Sequence, residues 1–301
     1  MAAFEYAAGD YKLACETKEN GIIVTGIRGN GSNLTIPEEI IYQDKEYPVL
    51  EIGKKAALGC RTVREIFVPD TVVATGDWAF AQCPQLTNIR IPQGVSLGVG
   101  VFEDCPSLLQ ICVEAAKEDF SLDLSILLAV CVRRLPSEDL LRDSEVGSEH
   151  WFRRWDQRLV TFLKEEDKEG YRHMVLCGEE DIRKNVPEFI LEKQMDKSSL
   201  CLIRLLYHEN LDMEYRDFYI RYILSHGKGC PSEAAWKALA ERFSDRMVFF
   251  DLFADIGGIT KDTVDAMIED LTEQQAEAKA YLIRYKQEHF GDEDIFAGFE
   301  L

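Results

Sequence analysis

The residues able to do chemistry in this chain are sparse and scattered. Five histidines, His150, His173, His208, His226 and His289, lie far apart, and no His-Glu-x-x-His pair puts two on one helix face. A histidine metal site needs three of them to converge through the fold. The plainer expectation is exposed or helix-terminal imidazole: His208 and His226 both fall at predicted helix C-termini, where the dipole favours positive charge. Glu165-Glu166-Asp167 and Asp292-Glu293-Asp294 lack the Asp-x-Asp-x-Asp-Gly spacing of a calcium loop, and read as a solvated helix end and a tail. Gly227-Lys228-Gly229 has neither the spacing nor the hydroxyl of a phosphate-binding loop and reads as a turn. Gly26, Gly29 and Gly31 sit in no βαβ unit, and no Gly-x-Ser-x-Gly occurs. Asn33-Leu34-Thr35 matches a glycosylation sequon, read here as chance. The expectation is no catalytic residue, no metal and no cofactor.

The nine cysteines form no Cys-x-x-Cys pair, which argues against a zinc site or a disulfide framework. Cys60, Cys83 and Cys105 recur at one position of a repeat, and are expected to be buried, inert thiols rather than a reactive ladder. A formal charge of −20, from 54 acidic and 34 basic side chains, opposes general binding to nucleic acid or anionic membranes. The longest apolar run, Ile126 to Val132, is too short to span a bilayer, and the N-terminus lacks the pattern of an export signal. The expected setting is the cytoplasm, or outside the cell if a signal precedes this numbering.

What must position these residues is a repeat. A branched residue precedes proline at Ile36-Pro37, Val68-Pro69 and Ile91-Pro92. Gly-x-x-Ala/Val-Phe/Ala-x-x-Cys runs from Gly53 to Cys60, Gly76 to Cys83 and Gly98 to Cys105. Aliphatic pairs open each strand: Val63 and Ile66, Leu86 and Ile89, Leu108 and Ile111. Cys60 to Cys83 spans 23 positions and Cys83 to Cys105 spans 22, so independent landmarks hold one period. In each unit a short strand ends at proline, which has no N–H for a further ladder bond. A glycine is expected to permit the turn, and Phe80 or Phe102 to plug the coil. One coil cannot bury its own apolar face, so neighbours must stack.

These units resemble the bacterial BspA-like, or Treponema-type, leucine-rich repeat family. Leu86-Thr-Asn-Ile89-Arg-Ile91-Pro92 and Gly76-Asp-Trp-Ala79-Phe80-Ala-Gln-Cys83 carry the match. Gly21 to Gly53 looks like the family's opening repeat with a longer loop. Ala57 departs from the aromatic plug, and Leu97-Gly98-Val99-Gly100 is one residue short. The resemblance implies a right-handed β-solenoid and an adhesion or protein-recognition module. Upstream, Tyr11–Cys15 and Gly21–Val24 read as a hairpin, turning at Asn20-Gly21, that covers the first coil's open edge.

After about Glu114, apolar spacing near 3.6 takes over. Helices are expected at Leu122–Leu135, from Trp151 to Leu163, and at Val186–Gln194, Ser199–His208, Tyr215–Ser225, Ser232–Phe243, Asp245–Phe253, Thr260–Asp270 and Glu273–Glu288. Ser232, Thr260 and a Thr272-x-x-Gln275 capping box mark starts. The last pair is similar to an ankyrin-type or HEAT-like unit, and the helices are expected to seal the C-terminal end of the coil stack. The expected class is therefore α+β: a short leucine-rich-repeat solenoid with an N-terminal hairpin cap (1–113), then an all-α bundle or α-solenoid (114–301).

If Ile66/Val68, Ile89/Ile91 and Ile111/Val113 point inward, alternate positions form two outward columns: Asn33, Glu65, Asn88, Gln110 and Thr35, Phe67, Arg90, Cys112. Phe67 beside Arg90 is a pairing enriched at binding hot spots. The candidate partner-binding residues are Asn33, Thr35, Glu65, Phe67, Asn88, Arg90 and Gln110, and the partner a protein or peptide. Trp78 is a second candidate that is expected instead to wedge between coils. The alternatives are an envelope adhesin, or an enzyme with a pocket of histidine and carboxylates between Trp151 and Phe290.

Overall fold

The computed structural model describes residues 2–114, 122–133, 135, 138–142, 145–169 and 185–291. Eleven strands come first, and nine α-helices follow among the described residues. The chain groups into two compact units, Met1–Arg158 and Leu159–Leu301, so the division falls inside a helix, 45 residues beyond the change from strand to helix at Glu114.

The repeats wind into a β-solenoid with three stacked walls. The first is a parallel sheet of β4 (Asn33–Thr35), β7 (Glu65–Phe67), β9 (Asn88–Pro92) and β11 (Gln110–Glu114). The second continues β3 (Gly21–Gly29) through β6 (Lys45–Ile52) and β8 (Ala74–Thr75) to β10 (Ser96–Leu97), again parallel. The third consists of the Gly-to-Cys turns, joined by main-chain bonds such as Ala57 N to Ala79 O at 2.8 Å and Phe80 N to Val101 O at 3.0 Å. Each coil thus satisfies its backbone by bonding to the next.

Inside, the residues predicted to face inward do so: Ile66, Val68, Ile89, Ile91, Ile111 and Val113 are all buried. Phe80 and Phe102 stack with ring centroids 6.0 Å apart. Burying each such ring contributes about 2–3 kcal/mol. Thr75 stands between Ile52 and Leu97 in the second wall, and its hydroxyl is the buried side-chain polar atom without a partner among the described residues.

Glycine has a different task from the one expected. Gly76 and Gly98 do not need positive φ; a Cβ on Gly98 would lie 2.4 Å from the carbonyl carbon of Gly76, and one on Gly76 2.4 Å from Lys54 N. They let successive coils approach closely. Left-handed conformations fall elsewhere, at Lys55, Trp78 and Gly100 in one column and Gly59, Gln82 and Asp104 in another.

The expected hairpin is present as β2 (Tyr11–Lys18) with β3, paired antiparallel from Tyr11↔Gly29 to Lys18↔Gly21. The turn is Glu19-Asn20, and Gly21 opens β3 where a Cβ would strike Leu50 and Pro48. Two features were not anticipated. β1 (Ala3–Ala8) pairs with β2 and becomes the sheet edge. The long loop of the opening repeat is a hairpin of β5 (Glu39–Tyr42) with β6, turning through Gln43 and Asp44, both at positive φ. Tyr42 stacks on Phe4, 4.2 Å between centroids, which ties the two additions together.

Within the first unit, α1 (Leu122–Arg133) packs against β11, which covers the last coil as expected. After α2 (Glu138–Leu141), Arg142 donates to Gly98 O. α3 (Glu149–Lys164) buries Trp151 and Trp155, whose indole N–H groups donate to Leu140 O and Leu127 O.

In the second unit, α4 (Val186–Leu206) replaces the two helices expected at Val186–Gln194 and Ser199–His208. The polar stretch Asp196-Lys197-Ser198 resembles a break, yet Lys197 is 1% exposed and fully engaged. Its ammonium donates to Leu163 O, Glu165 O and Asp167, at 3.3, 2.6 and 2.7 Å. α4 starts at Asn185 with a capping box: Glu188 N donates to Asn185 Oδ1, and Asn185 N to Glu188 Oε2. Then come α5 (Met213–Ser225), α6 (Ala234–Arg242), α7 (Met247–Asp255), α8 (Val264–Asp270) and α9 (Ala276–Phe290). Two expected caps move: α6 is preceded by Glu233 in a left-handed conformation, not Ser232, and α8 by Thr263, not Thr260. At Thr272, the main-chain N–H donates to Gln275 Oε1, as the capping box requires.

Candidate recognition face

The first wall of the solenoid sets its outward side chains in register. Asn33 pairs with Glu65, Glu65 with Asn88, and Asn88 with Gln110; Thr35 aligns with Phe67, Phe67 with Arg90, and Arg90 with Cys112. Between these columns runs the buried line Leu34, Ile66, Ile89 and Ile111, which fixes which residues can face out. The structure thus brings together all seven candidate residues, with Cys112, around one shallow depression of about 390 Å³. Asn33, Thr35, Glu65 and Arg90 are exposed; Phe67, Asn88, Gln110 and Cys112 are half-buried.

The chemistry of this face is that of uncommitted groups. Among the described residues, the side chains of Asn33, Glu65, Asn88, Arg90 and Gln110 make no hydrogen bond or ion pair. Two ion pairs lie elsewhere in the solenoid: Lys18 with Glu51 at 2.7 Å and Lys54 with Asp77 at 3.5 Å. A column of carboxamides and a carboxylate can both donate and accept, and the Phe67 ring offers an apolar contact beside the Arg90 guanidinium.

Trp78 lies on the third wall, where its N–H donates to Glu103 at 2.7 Å in the next coil, and Lys54 Nζ sits 5.0 Å from the ring centroid. It bridges coils, as expected. Asp77 accepts from Val99 N, and that bond, with Lys54 nearby, holds its carboxyl below the usual range.

The cysteine column is packed rather than exposed. Cys83 and Cys105 are buried and Cys60 half-buried; the Cys83 and Cys105 thiols point at Ala57 O and Phe80 O, 3.4 and 3.2 Å away. Hydrogen bonding with Cys105 and Cys60, then burial, raises the Cys83 pKa, which suppresses the thiolate.

The remaining candidates for chemistry are structural. His208 Nδ1 lies 3.2 Å from Leu206 O, His226 Nδ1 2.9 Å from Tyr222 O, and His289 Nδ1 3.0 Å from Tyr285 O, all near helix C-termini. His173 and Asp292–Asp294 fall outside the described residues. The Glu165–Asp167 cluster is not simply a solvated end: Asp167 receives Lys197 and Gln194. Burial pushes the Asp167 pKa up, but these hydrogen bonds and the Lys197 charge outweigh it and hold it below the ordinary carboxylate value. Lys228, in the Gly227–Gly229 turn, pairs with Asp270 at 2.6 Å and Glu233 at 3.2 Å. A second hollow, of about 670 Å³, lies beside that cluster with Trp236, Glu241 and Asp270 in its wall, and no histidine lines it. Among the described residues no three histidine, cysteine or carboxylate side chains are placed to hold a metal ion, and no helix is long and apolar enough to cross a membrane.

Residues 32–121 match, in 6 copies, the family described as BspA type leucine rich repeat region. This segment is a BspA-type leucine-rich repeat region. Among solved structures, a leucine rich cell surface protein from Faecalibacterium prausnitzii is 27% identical, over 38% of this chain and 32% of that one, with a TM-score of 0.31. A leucine rich repeat protein of T. pallidum is 29% identical, over 36% and 49% of the two chains, also with a TM-score of 0.31. One from Bacteroides ovatus is 25% identical, over 37% and 38%, with a TM-score of 0.30. The chain spans about a third to a half of each of these proteins. No curated protein matches it. The BspA-type repeats point to protein interaction or surface recognition as the class of function.

Proposed function

We propose that this chain is a non-catalytic recognition or scaffold protein that captures a protein or peptide on the strand face of its BspA-type repeats. The observation that carries the reading is the face itself. Four in-register strands present seven side chains around one depression, and the polar ones among Asn33, Glu65, Asn88, Arg90 and Gln110 are uncommitted. Groups left open on a rigid scaffold lose little entropy when a partner engages them. The chemistry found elsewhere supports a binding role: His208, His226 and His289 lie against carbonyls near helix C-termini, and Lys228 and Lys197 neutralise carboxylates.

The test is capture. Wild-type chain and a Phe67→Ala/Arg90→Ala variant are immobilised, and proteins retained from the native cell are identified by mass spectrometry. The variant is expected to lose the partner while melting within about 1 °C of wild type, because surface truncations rarely move stability by more than about 0.5 kcal/mol. Undiminished capture by the variant sinks the reading.

A further inference from the structure

Residues 1–114 contain four arginines, Arg28, Arg61, Arg64 and Arg90. Among the described residues none of these guanidinium groups makes an ion pair, a side-chain hydrogen bond or a ring contact. That is unusual company for a chain of charge −20, in which carboxylates outnumber cations. Other cations in the chain are paired closely, among them Lys18 at 2.7 Å and Lys197, Lys228, Arg242 and Lys286 at 2.6–2.7 Å. Arg216 and Arg221 of the second unit are, like these four, without a partner among the described residues.

The winding of the solenoid sets these arginines at different places: Arg28 lies in β3, opposite Lys12, while Arg64 and Arg90 belong to the first wall. Arg64 N donates to Ser32 O, which places Arg64 directly over the start of β4, and Thr62 Oγ1 donates to Gly31 O, which places Arg61 beside the segment that follows Arg28. Arg64 adjoins Glu65, and Arg90 stands in register with Phe67. Arg64, one residue before β7, and Arg90, on β9, are thus the two arginines that the winding brings to the strand face, with Phe67 in register with Arg90.

We infer that the occupant of the strand face is an acidic peptide in extended conformation, its carboxylates held by Arg64 and Arg90 and an apolar side chain seated on Phe67. This rests on the reading of the face as a capture surface and adds the class of partner. Arginine is the side chain suited to the role, because its fork meets a carboxylate with two parallel bonds. The other column suits a peptide main chain. Asn33, Asn88 and Gln110 each offer a donor and an acceptor, and Glu65 an acceptor for a backbone N–H, so its charge is answered without a cation from the partner. Four strands about 4.8 Å apart span roughly 14 Å, the length of about four extended residues at roughly 3.3 Å each.

The test uses the full chain and a fluorescein-labelled, capped peptide of sequence Glu-Leu-Asp-Leu-Glu, with Gln-Leu-Asn-Leu-Gln and Lys-Leu-Lys-Leu-Lys as its neutral and basic counterparts, followed by fluorescence polarisation. The acidic peptide is expected to bind at least about tenfold tighter than either counterpart, a difference of about 1.4 kcal/mol. Arg64→Ala, Arg90→Ala and Phe67→Ala should each weaken it about tenfold, and Arg90→Lys less, with melting curves unchanged. Added salt should weaken it further. Equal binding of the neutral or basic peptide, or no acidic-peptide binding up to about 1 mM, overturns the inference. So does tighter binding of single-stranded RNA or a sulfated polysaccharide, which would mean that the arginines serve a phosphate or sulfate partner. Failure here with capture still lost in the Phe67→Ala/Arg90→Ala variant would overturn the partner class and leave the face standing; capture that survives the variant removes both.

Discussion

The two compact units solve the problem of burying polar groups in opposite ways. In the solenoid, main-chain groups are met by the neighbouring coil, wall after wall, and side chains inside are almost wholly apolar. Within residues 159–301, helices satisfy their own backbones, and the buried space is shared with charge: Lys197 and Arg204 are 1% and 0% exposed. Arg204 donates to Tyr207 O and Glu209 O beyond the end of α4, and Lys197 to Leu163 O in the last turn of α3 and to Glu165 O just past it. Each side chain supplies the donors that helix ends lack. Repetition, then, allows a core without polar content, whereas an irregular helical core needs individually placed cations at its helix ends.

The largest test of that contrast is to hollow the repeat. Phe80→Ala removes a fully buried plug in stacking contact with Phe102, and should cost about 3–5 kcal/mol. Because each coil rests on its neighbours, amide exchange should rise together in β7, β9 and β11 and leave α4 to α9 protected. Exchange confined to one coil would show that the stack is less cooperative than its ladders suggest.

The helical counterpart is Asp167→Ala, which leaves the Lys197 ammonium with only two carbonyls. Asp167 is partly exposed, which reduces the loss from that of a fully buried pair to about 2–3 kcal/mol. The same pair gives acid sensitivity. The Asp167 pKa is held below its unfolded value, near 3.9, so its stabilisation is complete above that value and is lost as pH falls through the folded pKa. Denaturant melts of wild type and Asp167→Asn between about pH 2 and 6 should converge as acid is added. A constant gap would rule out the linkage.

The smallest effect is a gain. Thr75→Val replaces a buried hydroxyl that has no partner by a methyl group of similar size, between Ile52 and Leu97. It should raise stability by about 1 kcal/mol, read as a shift of the denaturant midpoint at unchanged slope. A loss would mean that the hydroxyl is served by water.

Much of the candidate face was legible beforehand because strand side chains alternate with period two, and a period of 22 or 23 residues sets the strands in step. Once Ile66, Ile89 and Ile111 are inward, Glu65, Phe67, Asn88, Arg90 and Gln110 can only face out. The Asn185-x-x-Glu188 capping box is equally present in the residues, as a local three-residue spacing. β1 is not legible because Ala3–Ala8 carries no long apolar run, and only the fold supplies its pairing with β2. The second helical unit was harder. Asp196-Lys197-Ser198 has the composition of a break, and only the carbonyls and carboxylate supplied by residues 163–167 let α4 run through it.

By itself, then, the chain's periodicity determined the solenoid, its inward and outward residues and the absence of any familiar catalytic pattern, because local alternation and a repeated length need no knowledge of distant partners. Tertiary structure alone decided that Gly76 and Gly98 serve close approach between coils, that Lys197 lies inside a continuous helix, and that Arg64 and Arg90 remain unpaired at the face. Those are facts about which groups come near one another from far along the chain, and spacing in sequence does not contain that distance.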